Sequence, residues 1–206
     1  MVELFFKGGP FMWPLLFMLF FGIVVSLERL WTLTRASIDT KEFFADVQEA
    51  LKQRGPEGAA EICSNTRGPV ASVLHAGLLR LDRGIDHVEK AIEESGAVEM
   101  AFLEKGMVWL STVANIAPLL GFLGTVSGMI NAFEAIRTAG DVDPSVVAGG
   151  ISEALITTAS GLIIAIPIQA FHNFFVSKID KIIIDMQESS TQFVEALIQL
   201  GYGKGE

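Results

Sequence analysis

Thr125 and Thr158 are hydroxyls set in uncharged, mostly apolar sequence, and the chemistry of the chain can be argued from them. A hydroxyl both donates and accepts a hydrogen bond, so at membrane depth it can line a hydrated path for a proton. Thr125 belongs to a series, Ser111, Ala114, Pro118, Gly121, Thr125, Gly128 and Ala132, spaced alternately three and four apart. That repeat holds its members on one side of a helix. Ala154, Thr158, Gly161 and Ala165 form a second such series, with Gln169 and Asn173 close to the same face. Thr112 lies off the stripe. Two readings stay open. Small faces let helices approach closely, Gly124-x-x-x-Gly128 being one such pattern, and a threonine can satisfy its own hydroxyl on a carbonyl one turn back. The other reading is a proton path.

Glu153 stands at the mouth of an uncharged run that continues to Lys178. A carboxylate there is costly unless it faces water or a partner, or is protonated. It is therefore either a pathway residue or an interfacial acid whose charge a nearby helix N-terminus favours. His172, near the other end of that run, is expected at a helix interface or cavity rather than in a relay. The three uncharged runs of the chain contain no Asp, Glu, Lys or Arg. If the chain moves protons, the titrating group at the midplane must come from a partner.

Enzymatic chemistry finds no foothold, and no catalytic residue is assigned. There is no G-x-x-x-x-G-K-[ST] phosphate loop and no His/Cys metal spacing, and His75, His87 and His172 are scattered. Gly201-Tyr202-Gly203-Lys204 reads as a tail. Neither a metal nor an organic cofactor is expected. The net charge of −9 argues against a nucleic-acid partner, which would need clustered Lys and Arg. Cys63, the single cysteine, reads as a small apolar helix residue.

The elements that must position these residues are membrane spans. Half of the residues are apolar and they fall in blocks. No charge interrupts the chain between Lys7 and Glu28, Lys105 and Glu134, or Glu153 and Lys178. About 20 such residues suffice to cross a bilayer. The expected organisation is an outer N-terminal segment over 1–9, a first span over 10–28, and a cytoplasmic helical domain over 29–106. A second span over 107–134, a short periplasmic loop and helix start over 135–149, a third span over 150–177 and a cytoplasmic amphipathic helix over 178–206 follow. The first run reads as a span rather than a cleaved leader, since Glu3 precedes it and no small-x-small site follows. Ten cations between the first two spans, against Arg137 alone in the loop near Asp141, put the long loop and the C-terminus in the cytoplasm. Trp13, Trp31 and Trp109 sit near the expected membrane edges, as interfacial indoles do.

Helix signals subdivide the loop. Asp39 and Glu42, with Ile38 and Phe43 as a hydrophobic staple, start a helix near Thr40 that ends before Gly55-Pro56. Pro56–Ser64 and Pro69–Leu81 read as two short helices with proline in the first turn. Asp86 and Glu89 have capping-box spacing, and one continuous helix is expected from about His87 to Ala135. Asp143-Pro144 offers a cap and an N1 proline, with Val142 and Val147 as staple. The third span should run on through Ile179, Ile182, Met186, Phe193 and Leu200.

The run Ala117-Pro118-Leu119-Leu120-Gly121-Phe122-Leu123-Gly124-Thr125-Val126-Ser127-Gly128-Met129 resembles the second-span signature of the MotA/TolQ/ExbB proton channel family. Ile151-Ser152-Glu153-Ala154-Leu155-Ile156-Thr157-Thr158-Ala159-Ser160-Gly161-Leu162, followed by Ala165-Ile166-Pro167 and Asn173, resembles that of the third. Span number and loop sizes are similar to the ExbB/TolQ branch. The resemblance implies an all-α membrane protein with long cytoplasmic helical extensions, assembled as a homo-pentameric ring in a bacterial inner membrane. It implies two copies of an ExbD/TolR-like single-span partner in the pore, whose membrane aspartate carries the proton, and a TonB/TolA-like protein beyond. The pore-lining residues it implies are Thr125, Thr158, Glu153, Gly121, Gly161 and Ala165, with Gln169, His172, Asn173 and Ser111 as secondary candidates. A stator of TonB-dependent import, Tol-Pal function or gliding motility fits equally, and a non-conducting scaffold is the reading from another class.

Overall fold

The computed structural model describes residues 2–36, 40–139 and 144–202. The expected caps and staples at Ile38, Asp39, Val142 and Asp143, the loop residue Asp141, and Gly203-Lys204 lie outside them. Every described element is helical: α1 (Val2–Lys7), α2 (Met12–Ala36), α3 (Thr40–Asn65), α4 (Pro69–Leu78), a 3-10 turn (Leu81–Arg83), α5 (Ile85–Glu104), α6 (Met107–Ala139) and α7 (Pro144–Gln199). The chain divides into two compact units, Met1–Arg29 with Gly106–Phe174, and Leu30–Lys105 with Phe175–Glu206.

The first unit holds the apolar parts of α2, α6 and α7, which among the described residues are the three helices long and apolar enough to cross a membrane. α2 meets the other two at Gly22, where a Cβ would stand 2.9 Å from Ile168 Cδ1 and 3.3 Å from Val113 Cγ1. Ser26, buried one turn on, donates to Gly22 O at 2.7 Å, which satisfies its hydroxyl inside the helix. Trp13 and Trp109 are exposed, and Trp109 meets Phe21 edge to face.

One expectation is overturned here. No single helix runs from His87 to Ala135: α5 stops at Glu104, Lys105 turns out of the helix (ψ 128°), and Gly106 takes φ +87° before α6 begins. The cause is tertiary. The buried Arg29 side chain, paired with Glu28 at 2.6 Å, lies against Gly106, where a Cβ would sit 3.4 Å from its Nε. A glycine supplies both the left-handed turn and the room.

The second unit is built as a water-soluble domain is. α3 is interrupted at Gly55 (φ 73°, ψ −168°), so the two helices expected on either side of Gly55-Pro56 are present. Pro69 opens α4 as expected, but α4 ends at Leu78 rather than Leu81 and passes into the 3-10 turn. The expected capping box at Asp86 does not form. Gly84 (φ 99°) is the N-cap without a side-chain bond, and Asp86 sits inside the first turn, where its charge complements the helix dipole. Phe43, Val47, Leu51, Cys63, Val70, Leu74 and Val88 pack with Met186, Phe193 and Leu197 of α7 in one core. Ile179 and Ile182 are buried as expected, whereas Leu200 is exposed because α7 ends at Gln199 and the chain turns at Gly201.

Candidate functional site

α6 and α7 touch backbone to backbone along the small-residue series. A Cβ on Gly161 would stand 2.5 Å from Ala117 O, one on Gly121 3.0 Å from Thr157 O, and one on Gly128 3.1 Å from Gly150 O. Gly121, Gly161 and Ala165 are accordingly buried within the chain. The close approach brings the two stripe hydroxyls together. Thr125 Oγ1 and Thr158 Oγ1 are hydrogen-bonded to each other across the seam. Thr158 Oγ1 also reaches Gly121 O at 3.1 Å, and Thr125 Oγ1 reaches Ala154 O at 3.3 Å and Gly121 O at 3.4 Å.

Two hydroxyls own two protons, and the proton between them can point either way. Thr125 donates to Thr158, which donates to Gly121 O; or Thr158 donates to Thr125, which donates to Ala154 O or Gly121 O. Either hydroxyl keeps a lone pair to accept from a third group, and can donate to one by giving up a carbonyl bond. Both threonines are half-buried, so a third group can reach them.

Glu153 is not on this seam. Its half-buried carboxylate lies against Gly9, beside the turn that precedes α2. The secondary candidates of α7, Gln169, His172 and Asn173, form a separate group roughly 16–22 Å along the helix from Thr158, at 1.5 Å per residue. Gln169 Nε2 donates to Asn173 Oδ1 at 2.9 Å, and His172 Nδ1 lies 3.5 Å from the same oxygen. His172 and Ser111 line a recess of about 540 Å³ together with Met107, Val108, Thr112, Asn115 and Ile116.

Stripe reasoning missed two residues. Thr157 is fully buried; its hydroxyl lies 2.9 Å from Gly8 O and 2.8 Å from Glu153 O, and its methyl packs on Gly124. It stands about 100° around the helix from Thr158, outside the face the spacing picks out. The adjacent Thr157-Thr158 pair was its one signal. Asn115 was the other: it donates to Ser111 O at 2.7 Å and lines the recess, as does Thr112, which the spacing set aside.

The family model described as the MotA/TolQ/ExbB proton channel family matches residues 65–188, more than half of the chain and all of the α6/α7 seam. The chain belongs to the MotA/TolQ/ExbB proton channel family. It is 30% identical over 180 residues to a biopolymer transport protein ExbB homolog of Methanothermobacter thermautotrophicus, covering 87% of this chain and 64% of that protein. It is 29% identical over 201 residues to the biopolymer transport protein ExbB-like 1 of Synechocystis, covering 96% and 76%. The Tol-Pal system protein TolQ of Haemophilus influenzae is 37% identical over 106 residues, covering 52% and 46%. The chain thus spans just under two thirds of the Methanothermobacter relative and less than half of TolQ. With three apolar helices among its described residues, it is a multi-pass membrane protein of the ExbB/TolQ-like branch.

Proposed function

We propose that the chain is the pore-forming ring subunit of a proton-driven stator. It works as a homo-pentamer in a bacterial inner membrane, with the N-terminus periplasmic and the domain between the first two spans cytoplasmic. Two copies of an ExbD/TolR-like single-span protein occupy the pore, and an aspartate of that partner carries the proton. Thr125 and Thr158 complete its path, Glu153 serves the outer end, and the Ser111, Gln169, His172 and Asn173 group serves the inner vestibule. Proton entry and release shift the partner relative to the ring and pass work to a TonB- or TolA-like protein. No covalent step is catalysed.

The observation that carries this reading is the Thr125–Thr158 hydroxyl pair. Its reversible donor–acceptor arrangement suits a carboxylate that is alternately ionised and protonated. No acid of this chain lies within that uncharged depth. A scaffold that conducts nothing is the second reading, favoured by the backbone contacts at Gly121 and Gly161, which serve packing by themselves.

The test is proton flux in vesicles holding the ring with its single-span partner, with assembly checked in parallel. Thr158→Val should assemble normally yet lose flux, because a dry methyl leaves the partner's ionised carboxylate poorly solvated and raises its pKa. Thr158→Ser should keep part of the flux, and Thr125→Val should behave as Thr158→Val does. Ser160→Ala, which removes only a bond to Ile156 O at 2.8 Å, is the control. Normal flux through assembled Thr158→Val would favour the scaffold.

A further inference from the structure

We propose that the Gly8–Gly9 turn, 144 residues before Glu153 in sequence (153 − 9), is the element that positions the Glu153 carboxylate. The inference rests on the reading of Glu153 as a pathway residue and adds the residues that hold it in place. Gly9 has φ +71°, and a Cβ built there would fall on Glu153 Oε1, 2.9 Å from Cδ and 3.3 Å from Cγ. The carboxylate thus occupies the volume that any other residue at position 9 would fill with its own side chain. Gly8 is crowded by side chains: a Cβ there would stand 2.6 Å from Met12 Cγ and 3.1 Å from Ile156 Cγ2.

The turn is also tied down. The buried Thr157 hydroxyl sits between two carbonyls, Gly8 O at 2.9 Å and Glu153 O at 2.8 Å, and its single proton is shared between them or alternates. One side chain thereby fixes the turn to the helical turn that carries Glu153. Gly8 N in turn donates to Leu4 O at 3.1 Å, which ties the turn to the end of α1. A half-buried carboxylate with a free rotamer would sample several directions; with the turn seated, one of its sides is walled by backbone. Gly8, Gly9 and Thr157 are positioning residues, acting through Glu153 on whatever proton donor or acceptor it meets.

The experiment is a double-mutant cycle in the reconstituted ring with its partner, read by proton flux and by thermal midpoint. Gly9→Ala pushes the carboxylate aside and should lower flux roughly tenfold while the ring still assembles. Glu153→Asp shortens the side chain by one methylene and vacates the contested volume. Adding Gly9→Ala to Glu153→Asp should then lower flux less than about twofold relative to Glu153→Asp alone. The thermal midpoint should follow the same pattern, falling by several degrees with Gly9→Ala in the native background and by half of that or less with Asp present.

Gly84→Ala controls for backbone strain, since Gly84 also has positive φ but nothing lies within 4 Å of its Cβ position. It should leave flux unchanged. Equal losses from Gly9→Ala in both backgrounds would overturn the proposal, because strain alone would explain them. Normal flux through Gly9→Ala would overturn it as well. Normal flux through Glu153→Gln, with the midpoint coupling intact, would remove Glu153 from the pathway and leave the turn as its positioning contact only.

Discussion

In the unit that carries α6 and the first part of α7, backbones meet at Gly121, Gly128 and Gly161, and the bulky Leu119, Phe122, Ile163 and Ile166 point away from the contact, each about two thirds exposed. In the unit built on α3, α4 and α5 the arrangement is reversed. Phe43, Leu74, Phe193 and Leu197 fill the interior, and the charged residues stand outside. The difference reflects the solvent. In water, burying apolar surface yields about 25 cal/mol per Å², so large side chains go inward. In hydrocarbon a leucine gains nothing by leaving lipid for protein, and helices associate through close van der Waals contact and hydrogen bonds between them. α7 contributes to both units and changes style along its length, from Gly161 and Ala165 to Met186 and Phe193.

The largest expected effect tests the water-type core. Phe193→Ala removes a fully buried ring from the second unit and should cost about 3–5 kcal/mol. Hydrogen exchange should show lost protection in α3, α4 and α5, with α6 keeping its own. Equal loss in α6 would mean that the two units do not unfold separately.

A smaller pair of effects tests the lipid-type seam, with one substitution made twice in one helix. Gly161→Ala drives a Cβ to 2.5 Å from a backbone carbonyl that cannot swing aside. Overpacking of this kind costs about 1–3 kcal/mol. Gly149→Ala meets nothing within 4 Å and should instead stabilise by about 0.5–1 kcal/mol, the helix preference of alanine over glycine. The thermal midpoint should therefore fall for the first and rise for the second. A rise for both would show that the seam is loose enough to absorb a methyl, and would weaken the contrast between the units.

What could be read from the sequence follows the same division. The spans were legible because charge is absent over long runs, and the seam because its small residues keep a three-four rhythm. The helical pieces of the second unit were legible at Gly55-Pro56 and Pro69, where proline marks a first turn. The break at Lys105–Gly106 was not, because its cause is the Arg29 side chain lying against Gly106, a contact between residues far apart in sequence. Asp86 misled because its spacing to Glu89 fits a capping box, whereas Gly84 starts the helix two residues earlier. The Gly8–Gly9 turn was invisible for the same reason as Arg29: its meaning lies in a contact with Thr157 and Glu153.

The smallest expected effect asks whether the core of the second unit is closed, and Cys63 reports on it. Burial pushes the Cys63 thiol up from 9.0 to about 12. The unfolded chain would release this proton near pH 9, and the folded chain holds it until about pH 12. Between those values the folded state binds more protons, so the contribution of Cys63 to stability is complete below pH 9 and declines as pH rises. One proton sets an upper limit of about 1.4 kcal/mol per pH unit, less wherever solvent reaches the sulfur. The difference in thermal midpoint between the native chain and Cys63→Ala should be flat from pH 7 to 8 and shrink from pH 9 to 10. The difference isolates Cys63 from every group present in both proteins. Thiol labelling gives the same test by rate. The thiolate is the reactive form, so at pH 8 Cys63 should react about a thousandfold more slowly than an exposed cysteine. Prompt labelling of the folded protein would mean that α3 opens and that this core is less closed than its packing implies.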